Sequence, residues 1–173
     1  MPHKIAIVGP ESSGKSVLAE QLSSHFSDSI LVKEYARKFL ENLGRPYAKE
    51  DLIAIADGQL IAEEEAINQN PELIICDTDI LEIKVWSDYK YGSCDERINV
   101  QIMKFASDFY LLAKPDLPWE PDPLRENPED RDELFDFYIK SLERLGLPYG
   151  VVSGEGEARL QCAINALSRF GIT

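Results

Sequence analysis

Five short apolar runs punctuate the chain: Ile5-Ala6-Ile7-Val8, Ile30-Leu31-Val32, Leu73-Ile74-Ile75-Cys76, Phe109-Tyr110-Leu111-Leu112 and Tyr149-Gly150-Val151-Val152. None alternates apolar with polar, and unbroken runs of this kind fit strands covered on both faces. Between them the apolar period lengthens. Leu18, Leu22 and Phe26 mark one helix, and Leu52, Ala56, Leu60 and Ile67 a longer one. Leu134, Tyr138 and Leu142 mark another, and Leu160, Ile164 and Leu167 the last. The helix through Leu134 is predicted to open at Asn127-Pro128, a cap followed by proline in the first turn, and to stop near Gly146 and Pro148. Strands alternating with helices predict an α/β fold, a parallel sheet between two helical layers. Nearly all of these stripes are core packing.

Charge narrows the partners. Lysine and arginine total 18 against 31 acidic residues, a net charge of −13. Nucleic acid and anionic membrane surfaces both call for a basic face, so neither is an expected partner. No apolar run approaches the roughly 18 residues of a membrane span. Met1 leads straight into the first strand with no signal-peptide pattern. Cys76, Cys94 and Cys162 form no C-x-x-C pair and no metal spacing. The expectation is one soluble, cytoplasmic domain over residues 1–173, with reduced thiols and no structural zinc. A homo-oligomer is compatible with the sequence. The acidic run Glu63 to Glu65 reads as a solvated helix face.

The first strand runs into Gly9-Pro10-Glu11-Ser12-Ser13-Gly14-Lys15-Ser16, a full match to G-x-x-x-x-G-K-[ST] between a strand and a helix. Gly9 permits the sharp exit from the strand, and Gly14 lets the backbone approach a phosphate oxygen. Successive amides and the positive end of the next helix cradle the anion. Candidate nucleotide-binding residues are therefore Gly9, Glu11, Ser12, Ser13, Gly14, Lys15, Ser16 and Val17. Lys15 is expected to reach the β- and γ-phosphates of ATP, and the Ser16 hydroxyl to reach Mg²⁺. The third strand ends in Asp77, the form expected of the second magnesium-holding element. Asp79, two residues on, reads equally well as a site carboxylate or as a cap for the next helix, with Glu82 three residues later like a capping box. Glu34, in Glu34-Tyr35-Ala36-Arg37 after the second strand, reads either as an acceptor for the proton of a substrate hydroxyl or as a surface salt-bridge residue beside an arginine. A proline-rich loop follows the fourth strand and carries Trp119, Asp122 and Arg125, with Arg131 beyond. Arginines in a closing loop can neutralise charge on a transferring phosphoryl group, and tryptophan can stack on a cationic ring.

Together GPESSGKS, EYAR, CDTD and the Trp119, Asp122, Arg125 run resemble the nicotinamide riboside kinase domain of the NadR type, over essentially the whole chain. The resemblance implies the P-loop kinase strand order 2-3-1-4-5, with a small lid over about residues 115–131. It also implies phosphorylation of the ribose 5′-hydroxyl of nicotinamide riboside by ATP. The expected catalytic set is Lys15, Glu34, Asp79, Arg125 and Arg131. The expected riboside contacts are Tyr35, Arg37, Asp79, Trp86, Trp119 and Asp122. Magnesium falls to Ser16 and Asp77, and the adenine to Gly154–Glu157 by analogy with other P-loop kinases. The chain has no H-x-G-H-type motif and no room for an adenylyltransferase domain, so adenylyl transfer is not carried over. A kinase for another nucleoside, or a nucleotide-binding sensor without phosphoryl transfer, are the competing readings.

Overall fold

The structure, a computed structural model, describes residues 2–172 except 127. Five strands, β1 (His3–Val8), β2 (Ser29–Val32), β3 (Leu73–Asp77), β4 (Phe109–Ala113) and β5 (Tyr149–Val152), pair in the order β2-β3-β1-β4-β5, all parallel. The expected strand order and three-layer α/β class are therefore what the chain adopts. Among the described residues, seven helices connect and flank the strands: α1 (Lys15–His25), α2 (Tyr35–Asn42), α3 (Asp51–Ile67), α4 (Ile80–Tyr91), α5 (Glu96–Phe105), α6 (Arg131–Leu145) and α7 (Gly156–Phe170).

The pleat divides the core. Ile5 and Ile7 of β1 face Leu18, Leu22, Ala163 and Leu167 of α1 and α7. Ala6 and Val8 face the opposite layer, with Leu52, Ile80, Ile98 and Leu134. Alternate residues of one strand thus feed two cores, which is why no polar position interrupts the central strands.

Two expectations are corrected. Helix α6 begins at Arg131, with Asp130 at its N-cap, and not at Pro128. The predicted cap Asn127 lies outside the described residues. The helix does stop at Gly146, in the left-handed conformation (φ 66°). The acidic run on α3 is not wholly solvated. Glu63 is buried, its carboxylate 2.6 Å from Lys4 Nζ, while Glu64 and Glu65 are exposed.

One α3 residue has a packing reason. The ring of Tyr35 lies against Gly58, and a Cβ there would meet Tyr35 Cε1 at 2.1 Å. Gly58→Ala is expected to destabilise the fold by roughly 1–3 kcal/mol through overpacking. That outweighs the gain in helix propensity of about 1 kcal/mol. A higher melting temperature for this variant would contradict the packing account.

Candidate active site

The phosphate loop needs two glycines for distinct reasons. Gly9 has φ 142°, and a Cβ on it would sit 2.7 Å from Ala113 O. Gly14 has φ 74°, and a Cβ there would lie 2.8 Å from Leu117 Cδ1. Any side chain at either point therefore collides with the loop and its surroundings. Ser12 also adopts a positive φ of 53°. Ser13 Oγ donates to Pro10 O at 2.6 Å, which closes the loop on itself. Lys15 Nζ donates to the carbonyls of Gly9 (2.7 Å) and Pro10 (3.0 Å).

Above this loop is a cavity of about 550 Å³. Gly9, Glu11, Ser12, Ser13, Gly14, Lys15, Ser16 and Val17, the residues expected to hold a nucleotide, all line it. Across from them stand Glu34, Arg37, Trp86 and Arg125. Glu34 occupies the N-cap position of α2, yet its side chain makes no cap bond, so the carboxylate is left facing the cavity. Burial raises its pKa, as do Asp77 and Asp122, against the opposing charges of Lys15 and Arg37.

Asp77 closes β3 beside the cavity, and a neighbouring groove contains it together with Ser16, Glu34 and Arg37. The nearby Ser16 hydroxyl favours its charged form. The carboxylate oxygen Oδ1 is buried and has no hydrogen-bond partner among the described residues. A buried orphan carboxylate oxygen next to a hydroxyl fits a hard cation with oxygen ligands, so Ser16 and Asp77 suit Mg²⁺. Burial raises the Asp77 pKa, and a bound cation would reverse that.

Asp79 does not join them. Thr78 has φ 67°, which breaks the strand's alternation and turns Asp79 into the core. Asp79 caps α4 by accepting from Leu81 N–H at 2.9 Å. Its other oxygen accepts from Ser107 Oγ (2.9 Å) and Tyr110 Oη (2.8 Å). The residue has no exposed surface. Of its two sequence readings, the structure favours the cap.

The proline-rich segment between β4 and α6 lies across the phosphate loop. Ser12 Oγ accepts from Glu120 N–H at 3.0 Å, and the Glu11 carboxylate accepts from Glu126 N–H at 3.0 Å. Arg131 Nη1 donates to Ser12 O (3.2 Å) and Leu117 O (2.9 Å). Arg131 is thus a strut between loop and lid, outside the cavity's lining. Trp119 packs with its ring 5.9 Å from the Arg131 guanidinium and also stands outside the lining. Asp122 is tied to Arg37 at 3.1 Å and to Leu124 N–H at 2.9 Å. The Tyr35 ring is spent on Gly58. Four expected contacts therefore stand back from the cavity, while Arg125 and Trp86 line it. Trp86 Nε1 donates to Tyr47 Oη at 3.0 Å, and Tyr47 in turn donates to Glu126 of the lid at 2.9 Å.

Glu82, Tyr138 and Arg159 are among the lining residues that were not singled out for the site from sequence. Glu82 Oε1 is 3.5 Å from Lys15 Nζ, and Tyr138, on α6, brings a hydroxyl that favours the charged carboxylate. Arg159 of α7 is buried beneath the loop. It donates to Ser13 O (2.6 Å), Lys114 O (2.9 Å), Gly154 O (2.7 Å) and Asp116 Oδ1 (2.7 Å). It thereby fastens the phosphate loop to the Gly154–Glu157 turn, where Glu155 and Gly156 also line the cavity.

A parallel sheet in this order, with a complete phosphate loop between β1 and α1, defines the P-loop NTPase class. Within that class the chain belongs to the AAA domain family, whose model matches residues 4–159. It is 26% identical over 159 residues to the trifunctional NAD biosynthesis/regulator protein NadR of Escherichia coli (strain K12), covering 87% of this chain and 38% of that protein. It is 27% identical over 127 residues to NadR of Salmonella typhimurium, covering 70% of this chain and 30% of the relative. The chain therefore spans well under half the length of the curated relatives it matches. A crystal structure of NadR with NAD and AMP-PNP superposes with a TM-score of 0.79 at 20% identity, over 99% of this chain and 50% of that one. A deoxyadenosine kinase from M. mycoides superposes at 0.63 and 18% identity, over 96% and 99% of the two chains. These matches bear out the NadR-type resemblance and the kinase-type P-loop fold. Among the described residues no helix is long and apolar enough to cross a membrane.

Proposed function

We propose that the chain transfers the γ-phosphoryl group of ATP to the ribose 5′-hydroxyl of nicotinamide riboside, giving nicotinamide mononucleotide and ADP. The observation that carries this reading is the free Glu34 carboxylate, which faces the cavity above an intact phosphate loop and near Lys15. NadR has been solved with NAD, AMP-PNP and, separately, NR, which supports the choice of substrate.

Loop amides and Lys15 hold the triphosphate. Ser16 and Asp77 would hold Mg²⁺, which, when bound, supplies charge neutralisation at the β- and γ-phosphates. Glu34 orients the 5′-hydroxyl and takes its proton as the oxygen bonds to the γ-phosphorus and ADP departs. Arg125 faces the cavity and neutralises charge on the transferring group. The closed lid excludes water. The pyridinium ring of the riboside is cationic, and the aromatic surfaces available to it are Trp86 and Tyr89, which line the cavity, in place of Trp119.

A panel of nucleosides with γ-labelled ATP tests the assignment. Nicotinamide riboside is expected to give the highest kcat/KM, and a preference for an uncharged nucleoside would overturn it. The same assay carries a pH prediction. The raised pKa of Glu34 leaves part of the base protonated above the usual carboxylate range. Turnover is therefore expected to fall on acidification at a pH above that range. In Glu34→Gln this acid limb disappears and kcat drops about 10²- to 10⁴-fold.

A further inference from the structure

We propose that Glu82 is a positioning residue that holds Lys15 before nucleotide binds and takes up one proton from solvent when the phosphates draw Lys15 away. This rests on the phosphate-loop part of the proposed function and is independent of the acceptor substrate.

The geometry places three groups on Lys15. Its ammonium donates to the Gly9 and Pro10 carbonyls and lies 3.5 Å from Glu82 Oε1. The second Glu82 oxygen is 3.4 Å from Gly9 N, at the mouth of the loop. Glu82 thus spans the lysine and the first amide of the loop. Neither partner can serve it and a phosphate equally well. Every interaction that would carry Lys15 to a β- or γ-phosphate removes the main cationic partner of a half-buried carboxylate.

Once that happens, the charge left facing Glu82, that of Glu34, favours its protonation. Glu34 comes from the N-cap of α2, Tyr138 from α6 and the Gly9 N–H from the phosphate loop, with Lys15 the cation among them, while Glu11 faces the Tyr138 hydroxyl. Burial, opposed by Lys15, already pushes the Glu82 pKa up to about 7 in the nucleotide-free site. The Tyr138 hydroxyl and Gly9 N–H favour the charged form. The incoming triphosphate is anionic and competes for Lys15, so the folded pKa rises further on binding. A group whose pKa rises on binding takes up protons, and affinity then falls as pH rises through that window. The window opens at about pH 7 and extends upward.

Isothermal titration of the full chain with magnesium AMP-PNP at pH 8, in buffers of different ionisation enthalpy, reads the proton count directly. Wild type is expected to take up between about half a proton and one more than Glu82→Gln. Between pH 7 and pH 8 its affinity is expected to fall by up to about tenfold relative to that variant. Tyr138→Phe keeps the carboxylate but removes a donor to its charged form, so uptake persists and its pH midpoint moves up. Equal uptake in wild type and Glu82→Gln would overturn the inference. So would a midpoint in Tyr138→Phe that stays or moves down. No nucleotide binding by wild type would overturn the phosphate-site reading and this inference with it, whereas normal uptake without riboside phosphorylation would overturn only the choice of acceptor.

Discussion

Lys15→Ala is expected to lower turnover of nicotinamide riboside by at least about a thousandfold, the scale of losing a preorganised charge aimed at the reacting phosphate. Binding of magnesium ATP should weaken in the same variant, because the lysine contributes to ground-state binding as well. The fold should hardly notice. Lys15 contacts two loop carbonyls and Glu82, and none of the apolar core depends on it. Losing those bonds costs about 1 kcal/mol, or roughly 4 °C in melting temperature at most for a chain of this size. Steady-state kinetics beside a thermal melt separates the two effects. Turnover within tenfold of wild type, in a folded variant, would remove the phosphate loop from the mechanism. A large drop in melting temperature would instead make Lys15 a structural residue.

The phosphate loop is legible in the sequence because its chemistry belongs to the backbone. Glycines at two fixed offsets, a lysine and a hydroxyl can be read without knowing what surrounds them. The central strands are legible for a similar reason, since Ile5–Val8 and Phe109–Leu112 are buried on both faces and show it. Side chains that meet the cavity from distant elements are another matter. Glu82 lies in α4, whose buried positions Ile80, Leu81, Ile83, Lys84, Val85 and Ser87 cover nearly every side, so the helix has no stripe to mark a special position. Its acid reads as a cap partner. Arg159 sits beside Leu160 in an ordinary amphipathic helix, and only the packing of α7 against the loop reveals a buried cation. Trp119 and Tyr35 carry the right chemistry in the right segments, but Arg131 and Gly58 claim their rings. The pair Asp77 and Asp79 is the sharpest case. Strand alternation would put both carboxylates on one face, and a single left-handed residue between them sends the second into the core.

That separation leads to the second large effect. Asp79→Ala is expected to destabilise the protein by roughly 3–6 kcal/mol. Three donors lose their acceptor together: Leu81 N–H, Ser107 Oγ and Tyr110 Oη. All are buried, and an unsatisfied buried donor costs about 1–3 kcal/mol. A domain stability of about 5–15 kcal/mol makes this a severe loss. The melting temperature should fall by roughly 10 °C or more. Asp79→Asn, which retains one carbonyl oxygen, should lose less. Below the transition, kcat per folded molecule should stay near wild type in both variants, because the carboxylate has no path to the cavity. A proton acceptor at Asp79 predicts the reverse pattern, an intact melting temperature with kcat reduced by about 10²-fold or more. The two positions thus divide the work of one short motif. Asp77 keeps an unpaired oxygen in the groove it shares with Ser16, and Asp79 ties the start of α4 to the start of β4.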